Sequence, residues 1–293
     1  MPSDSARATT ELLHVLERID KEIGSVPVVP LEGTRFLETH VAFEGHSDQQ
    51  GRIIQWFEDN VEPATPTDEP YRVLSVGCGS GLLDVPVSRH LAARGARLTY
   101  TGVNPNEAEC TAFARRFTES GPPSARLELA RMPFEDFETD TRFDLVHFVQ
   151  SLYYVDDPSA ALERARQLLA PGGKLVVFHA PLAALNQLAM PFYDRTFGRP
   201  TMFAEDVSRI LLAWNEPFTR ERIDAHLEVT PFVQRDAELG RALRDFIVQV
   251  ESAALPRELQ ELIDDYLDAI TVEGPDDRAY IAHPVDAFVV HVE

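Results

Sequence analysis

Gly77, Gly79 and Gly81 stand at alternate positions in Val73-Leu-Ser-Val-Gly-Cys-Gly-Ser-Gly81, directly after a run with the composition of a buried strand. A glycine has no Cβ, so the main chain there can turn sharply and lie flat against a ligand that a bulkier residue would exclude. Leu82, Leu83, Val85 and Val87 follow at helical spacing, which predicts a helix from the last glycine. Strand, glycine turn and helix together form the nucleotide-binding opening of a doubly wound α/β domain. The dinucleotide fingerprint needs G-x-G-x-x-G, but here the third glycine arrives one residue early. No lysine follows Gly81, so the phosphate loop G-x-x-x-x-G-K is absent as well. Cys78 lies inside the turn and reads as a small filler rather than a nucleophile. The other readings of the turn are a ligand without phosphate, or an ordinary strand-to-helix connection.

Further segments fall where such a fold requires them. Leu98 to Val103 is a second strand that ends at Asn104. Nucleotide folds of this kind place an acidic residue about 20 residues after the glycines to bind the ribose hydroxyls. This chain offers the Asn104 amide instead, with Glu107 and Glu109 just beyond it. Arg126 to Ala130 is a third strand. Arg131, Met132 and Phe134 follow at its end, where an adenine ring would rest. Phe143 to Val149 is almost wholly apolar and reads as a central parallel strand, with Val149 and Gln150 at its end. A helix from Ser159 is broken by Pro171-Gly-Gly173 before a fifth strand, Lys174 to Phe178.

The G-x-G-x-G turn resembles the first motif of class I S-adenosylmethionine (SAM) methyltransferases. Helix, Leu-x-Pro-Gly-Gly-x-Leu and strand in that order resemble them again. That likeness implies a mostly parallel seven-stranded sheet, with SAM held by Gly77, Cys78, Gly79, Gly81, Asn104, Glu109, Arg131, Met132, Phe134 and Val149. The run Val149-Gln-Ser-Leu-Tyr-Tyr-Val155 resembles the histamine N-methyltransferase family more narrowly. Phe36-Leu-Glu-Thr, His46-Ser47, Gln55-Trp56 and the last strand Phe288 to Val292 extend the likeness over most of the chain from about residue 35. The resemblance implies that Gln150 contacts the acceptor. Tyr153, Tyr154 and Asp48 are expected to orient the acceptor together with Gln150, with one of the two tyrosines packing in the core. The family's N-terminal glutamate falls at Gln49, beside Asp48. Its C-terminal asparagine falls near His283 and Pro284, and its tryptophans fall among the non-aromatic residues 184–188.

The chain has 293 residues and a net charge of −21, with 27 Lys and Arg against 48 Asp and Glu. A polyanion is repelled by such a surface and finds no basic stripe, which argues against nucleic acid. Long-range attraction favours cationic or neutral small substrates, but solubility or salt tolerance is the preferred explanation of the acidity. No run of about 18 apolar residues is present, so no membrane span is expected. Two cysteines, Cys78 and Cys110, without C-x-x-C spacing fit a cytoplasmic enzyme with free thiols. No His/Cys/Asp grouping has metal-ligand spacing.

The expected layout is an N-terminal helical cap over residues 1–66, a SAM-binding domain over 67–233, a helical cap insertion over 234–284 and a last sheet strand over 285–293. Helices are expected at Glu11 to Ile23, within Phe36 to Val61, at Ala204 to Ala213 and over much of Ala237 to Ile270. A linker is expected at 63–70, a loop with a short helix at 182–203, and a sixth, edge-like strand at Leu227 to Val233, interrupted by Pro231. Trp56 is expected in the core of the helical cap. His179, after the fifth strand, is either a general base or a hydrogen-bonded structural histidine. The functional expectation is methyl transfer from SAM to a small-molecule amine. The alternatives are S- or O-methylation of a small metabolite such as a thioether amino acid, and a non-catalytic SAM-binding partner subunit.

Overall fold

A computed structural model describes residues 4–63, 69–95, 97–198, 200–234, 236–275 and 277–292. The strands in chain order are β1 (Tyr71–Val76), β2 (Leu98–Val103), β3 (Ala125–Ala130), β4 (Phe143–Val149), β5 (Leu169–His179), β6 (Phe218–Ile223), β7 (His226–Glu228), β8 (Val272–Glu273), β9 (Ala279–Ala282) and β10 (Val285–His291). Among the described residues they form a seven-stranded sheet of order β3-β2-β1-β4-β5-β10-β6 and a three-stranded sheet of order β7-β9-β8. In the large sheet β10 alone runs against its neighbours, pairing antiparallel with both β5 and β6. This is the expected mostly parallel architecture.

The chain forms two compact units. One holds the large sheet and comprises residues 50–180, 202–223 and 285–293. Apolar residues cover both faces of its central strands. Leu74, Phe148, Leu162, Val177 and Phe288 pack on one side, and Phe57, Leu91, Tyr100, Phe113, Leu145 and Phe178 on the other. The second unit comprises residues 1–49, 181–201 and 224–284 and holds the small sheet. Its helix Arg257–Ile270 buries Leu259, Leu262, Ile263 and Tyr266, spaced to share one face, in a core with Ile19, Phe43, Phe192 and Ile247. Buried Asp245 ties this unit together, accepting from Arg35 Nη2 at 2.5 Å and from Ser252 N at 3.0 Å. Relative to the expected boundaries at 66 and 233, the helix Gln49–Asn60 goes with the large sheet apart from its first residue, and residues 224–233 go with the helical unit.

Several elements differ from expectation for identifiable reasons. Residues 227–233 are not a sheet strand. His226–Glu228 pairs with Ala279–Ala282 in the small sheet, and Pro231 then opens a short helix, Thr230–Val233. The large sheet's edge is instead β6, Phe-Thr-Arg-Glu-Arg-Ile, a strand with a charged middle. Its arginines are paired: Arg220 Nε and Arg222 Nε each donate at 2.7 Å to buried Asp286 on β10. The helix after the glycine turn begins at Asp84 rather than Gly81, since Gly81 has φ +73° and cannot be helical. Between residues 182 and 203 the helix runs from Ala184 to Phe197, and Gly198 ends it in the left-handed conformation. Trp56 lies in the large-sheet unit, edge-on to Phe178, with its Nε1 donating to Glu221 at 2.7 Å. The expected linker falls mostly on 64–68, outside the described residues.

Candidate active site

β1 has β2 on one side and β4 on the other, so the strand order reverses there and the connections leave on opposite sides. Ligands of open α/β sheets bind at the carboxyl ends of the strands flanking such a point. The glycine turn, Asn104 and Gln150 follow the ends of β1, β2 and β4 respectively. Gly77 N and Cys78 N both donate to Val103 O, at 2.8 and 3.3 Å, which ties the turn to β2. Ser151 Oγ donates to Val76 O at 2.7 Å and so ties the loop after β4 to β1.

The glycines have different reasons for being glycine. A Cβ on Gly77 would run into Ser151 Cβ, and one on Gly81 into the Phe113 ring. Gly79, at φ +53°, has nothing within 4 Å of where a Cβ would stand. Two glycines are thus fixed by the protein's own packing, while the third borders open space. Cys78 is buried, and burial, with Asp84 nearby, pushes its thiol well above the ordinary range. It stays protonated and fills space.

At the end of β2, buried Asn104 donates from Nδ2 to Glu109 Oε2 at 2.6 Å. Asn106 caps the helix Glu107–Ser120, its Oδ1 accepting from Ala108 N and Glu109 N. After β3, Arg131 pairs with Glu107 at 3.0 Å, and Met132 is exposed. The Phe134 side chain belongs to the core, edge-on to Phe148 and beneath the Arg164 guanidinium. Val149 is half-buried.

Gln150 has φ +50°, a conformation rare for a residue with a Cβ, and its N–H bonds Phe178 O at 3.0 Å. Tyr153 Oη accepts from Ala180 N–H at 3.2 Å and donates to Gln150 Oε1 at 3.0 Å. The Tyr153 ring stacks on His179 at 4.2 Å between centroids, whereas Tyr154 is 79% exposed. His179 is fully buried, with Nε2 against Met202 O at 3.1 Å. Burial lowers its pKa to about 4, so it is neutral at pH 7 and far from the poise of a general base.

Comparison with known proteins decides the family. The description "Methyltransferase domain" matches residues 46–227, more than half of the chain. The chain belongs to this methyltransferase family. It is 24% identical to histamine N-methyltransferase A of Xenopus laevis over 238 residues, which are 74% of this chain and 80% of that one. A ubiquinone biosynthesis O-methyltransferase of Pseudomonas syringae pv. tomato is 34% identical over 124 residues, covering 42% of this chain and 47% of its own. Among solved structures, the YcgJ protein of Bacillus subtilis superposes with a TM-score of 0.52 at 13% identity, covering 83% of this chain and 98% of its own, a likeness of fold.

The protein is a SAM-dependent methyltransferase, and its crevice fits that cofactor. Gly79 leaves open space where a Cβ would stand, and an amide–carboxylate pair stands at the end of β2. The turn offers no lysine for a polyphosphate.

Beneath the turn the methyltransferase carries a buried polar chain that composition alone does not reveal. His147 Nε2 lies 2.9 Å from Tyr100 Oη, which donates to Asp84 Oδ1 at 3.0 Å. Since the tyrosine proton goes to Asp84, His147 is the Nε2–H tautomer. Burial pushes Asp84 up to about 6, against hydrogen bonds from Ser75 and Tyr100, and lowers His147 to about 3. Asp84, Tyr100 and His147 are visible in sequence only as polar residues within otherwise apolar runs. Phe113, the floor under Gly81, gives no signal beyond its place on an amphipathic helix.

In the helical unit, Gln49 is buried, and its Nε2 donates to His283 O at 2.9 Å and Pro284 O at 3.4 Å. His283 Nδ1 lies 3.0 Å from Ser47 Oγ, its ring is edge-on to Phe43, and burial lowers its pKa to about 4. Asp48 pairs through its backbone and Oδ1 with the His226 backbone. The structure brings Asp48, Gln49 and His283 together within this unit, and brings Gln150, Tyr153 and the glycine turn together within the other. Among the described residues, no helix is long and apolar enough to cross a membrane, and no group of three or more His, Cys, Asp or Glu is placed to hold a metal.

Proposed function

We propose that the protein methylates the nitrogen of a small-molecule amine, with Gln150, Tyr153 and Tyr154 at the acceptor and the glycine turn, Asn104 and Glu109 at SAM. The observation that carries this reading is the Tyr153–Gln150 hydrogen bond at the end of β4, beside the glycine turn. When bound, SAM supplies an electrophilic methyl group on a sulfonium. The protein's work is alignment and exclusion of water, and orientation of this kind is worth about 7–11 kcal/mol. Ala180 N–H occupies one lone pair of Tyr153 Oη, so the hydroxyl proton is directed to Gln150 Oε1. This fixes the sense of the Gln150 amide. An amine with a lysine-like pKa must shed its proton first, at a cost of about 4–5 kcal/mol at pH 7. His179, neutral and packed under Tyr153, holds that ring, and the proton leaves to water.

One observation favours S-methylation as a second reading. Gln49 stands where the histamine N-methyltransferase family keeps a glutamate, and its amide donates to two backbone carbonyls. A thioether has no proton to lose and needs no carboxylate partner. The test is SAM turnover against panels of amines, thioethers and amino acids, with mass detection of the product. The amine reading expects a rate that climbs between about pH 6 and 9. Turnover of thioethers alone, with a flat pH profile, overturns it in favour of the second.

A further inference from the structure

The helix Gln49–Asn60 packs on the large sheet through Trp56 and Phe57, both against Phe178. Beside these rings a cavity of about 150 Å³ opens, walled by Trp56 and Asn60 and floored by β5, β10 and β6. The strand register lays out the floor. Lys174 stands opposite His291, and Val176 opposite Val289, which in turn faces Thr219. Phe178, Ala287 and Glu221 form the next row. These rows share one face, because opposed residues project to the same side and alternate residues along a strand do too. A strip of valine thus has an ammonium at one corner and a carboxylate at the diagonal corner. Among the described residues, the Lys174 and His291 side chains have no hydrogen-bond or ion-pair partner. Glu221 Oε2 accepts from Trp56 Nε1 at 2.7 Å, which leaves Oε1 for a second donor.

We propose that this cleft is a second ligand site, separate from the methyl-transfer crevice, for a short zwitterionic ω-amino acid. The crevice lies at the carboxyl ends of the strands, whereas Lys174 precedes His179, the last residue of β5, by about 17 Å of strand. Val176 and Val289 are buried and give the floor its apolar character. A cavity of about 150 Å³ holds about one benzene ring, so the ligand's body is a few methylenes. Two residues along a strand and two strands across put the Cα atoms of Lys174 and Glu221 about 12 Å apart. Side chains that stand off the sheet keep about that spacing. A charged contact of about 3 Å at each end leaves about 6 Å between the ligand's own charges. An α-amino acid is too short for this span, and a chain of about three methylenes between ammonium and carboxylate fills it. A simple anion is repelled by Glu221 and by the net charge of −21, and a simple cation leaves Lys174 unmatched. The zwitterion matches both corners, and the His291 ring offers a further N–H donor beside Lys174.

The test follows the Trp56 indole N–H, which borders the cavity at Glu221, by nuclear magnetic resonance of the full-length protein with isotope-labelled tryptophan. The chain has two tryptophans, and Trp214→Phe assigns the signals. At constant ionic strength, γ-aminobutyrate is expected to shift the Trp56 signal saturably, with a Kd about fivefold or more below those of butyrate and propylamine. Trp214, whose ring lies against Arg166, is expected not to move. Lys174→Gln should lose the advantage over propylamine. Glu221→Gln, whose amide oxygen still accepts from Trp56, should lose the advantage over butyrate. Both variants are expected to bind S-adenosylhomocysteine as the wild type does, so the outcome here is independent of the SAM assignment. No saturable shift of Trp56, equal affinity for the three compounds, or γ-aminobutyrate binding unchanged in the two variants overturns the proposal.

Discussion

Gly79→Ala tests the proposed placement of Gly79 against SAM, separating it from glycines that the protein's own packing requires. The new Cβ meets nothing within 4 Å in the free protein, so it adds no clash. The backbone at φ +53° charges an alanine about 1–2 kcal/mol for the left-handed conformation. For a protein of this size, each kcal/mol lowers the thermal midpoint by about 2–4 °C. The variant should therefore fold, with a midpoint down by a few degrees. If SAM lies against Gly79 as proposed, a methyl group there displaces its flat face. A misfit equal to one overpacked methyl, about 1–3 kcal/mol, weakens S-adenosylhomocysteine binding by roughly 5- to 150-fold. Gly81→Ala is the contrast. Its Cβ overlaps the buried Phe113 ring, so the loss appears first in stability, as a depressed midpoint or insoluble protein. The assay is a thermal midpoint for each free variant, then calorimetric titration with S-adenosylhomocysteine. A folded Gly79→Ala that binds as tightly as wild type refutes the reasoning, because the open face would then not be the ligand's.

Other perturbations test the surrounding parts. Tyr153→Phe removes the hydroxyl shared by Ala180 N–H and Gln150. It should cost about 1–3 kcal/mol of stability in urea unfolding and raise the acceptor's KM while leaving S-adenosylhomocysteine affinity unchanged. Acid should destabilise the large-sheet unit. The folded-state pKa values of His147 and His179 lie near 3 and 4, below their usual 6.5, so their contribution is complete above pH 6.5 and is lost as pH falls towards 4. Asp84 opposes this, since a carboxyl raised to about 6 takes up its proton in the folded state first and gains stability between pH 6 and 4. The net loss from pH 7 to pH 4 is about 4 kcal/mol from these three groups. Asp84→Asn removes the opposing share, so the variant should lose about 2 kcal/mol more than wild type over that interval, read by urea unfolding at both pH values. An equal pH dependence in the two proteins would contradict the buried Asp84 assignment.

Much of the large sheet is legible in the sequence because its strands are buried on both faces. Runs such as Phe143–Val149 and Val285–His291 are apolar almost throughout, and the glycine turn marks the crevice. The edge is not legible, because an edge strand need not be apolar. The charged middle of β6 makes sense only once Asp286 is known to lie beside it. The division into units was hidden for a related reason. Residues 181–201 join the helical unit through Leu185, Leu188 and Phe192, and nothing local distinguishes those leucines from leucines of the sheet core. In the candidate site, the glycines and Asn104 could be named from spacing, and Gln150 from the resemblance of the Gln-x-Leu-Tyr-Tyr run. Which of Glu107 and Glu109 serves Asn104 depends on rotamers and on Arg131, which come together only in the fold. The buried chain of Asp84, Tyr100 and His147 joins residues from one helix and two strands, and no spacing rule links them.

Titration of S-adenosylhomocysteine into the wild-type protein by calorimetry, with a nicotinamide dinucleotide and ATP as competitors, bears on the central assignment most directly. Saturable one-to-one heat that neither competitor displaces is the expected result. No heat with S-adenosylhomocysteine, or displacement by a pyrophosphate-bearing ligand, would contradict a crevice shaped for the methyl donor.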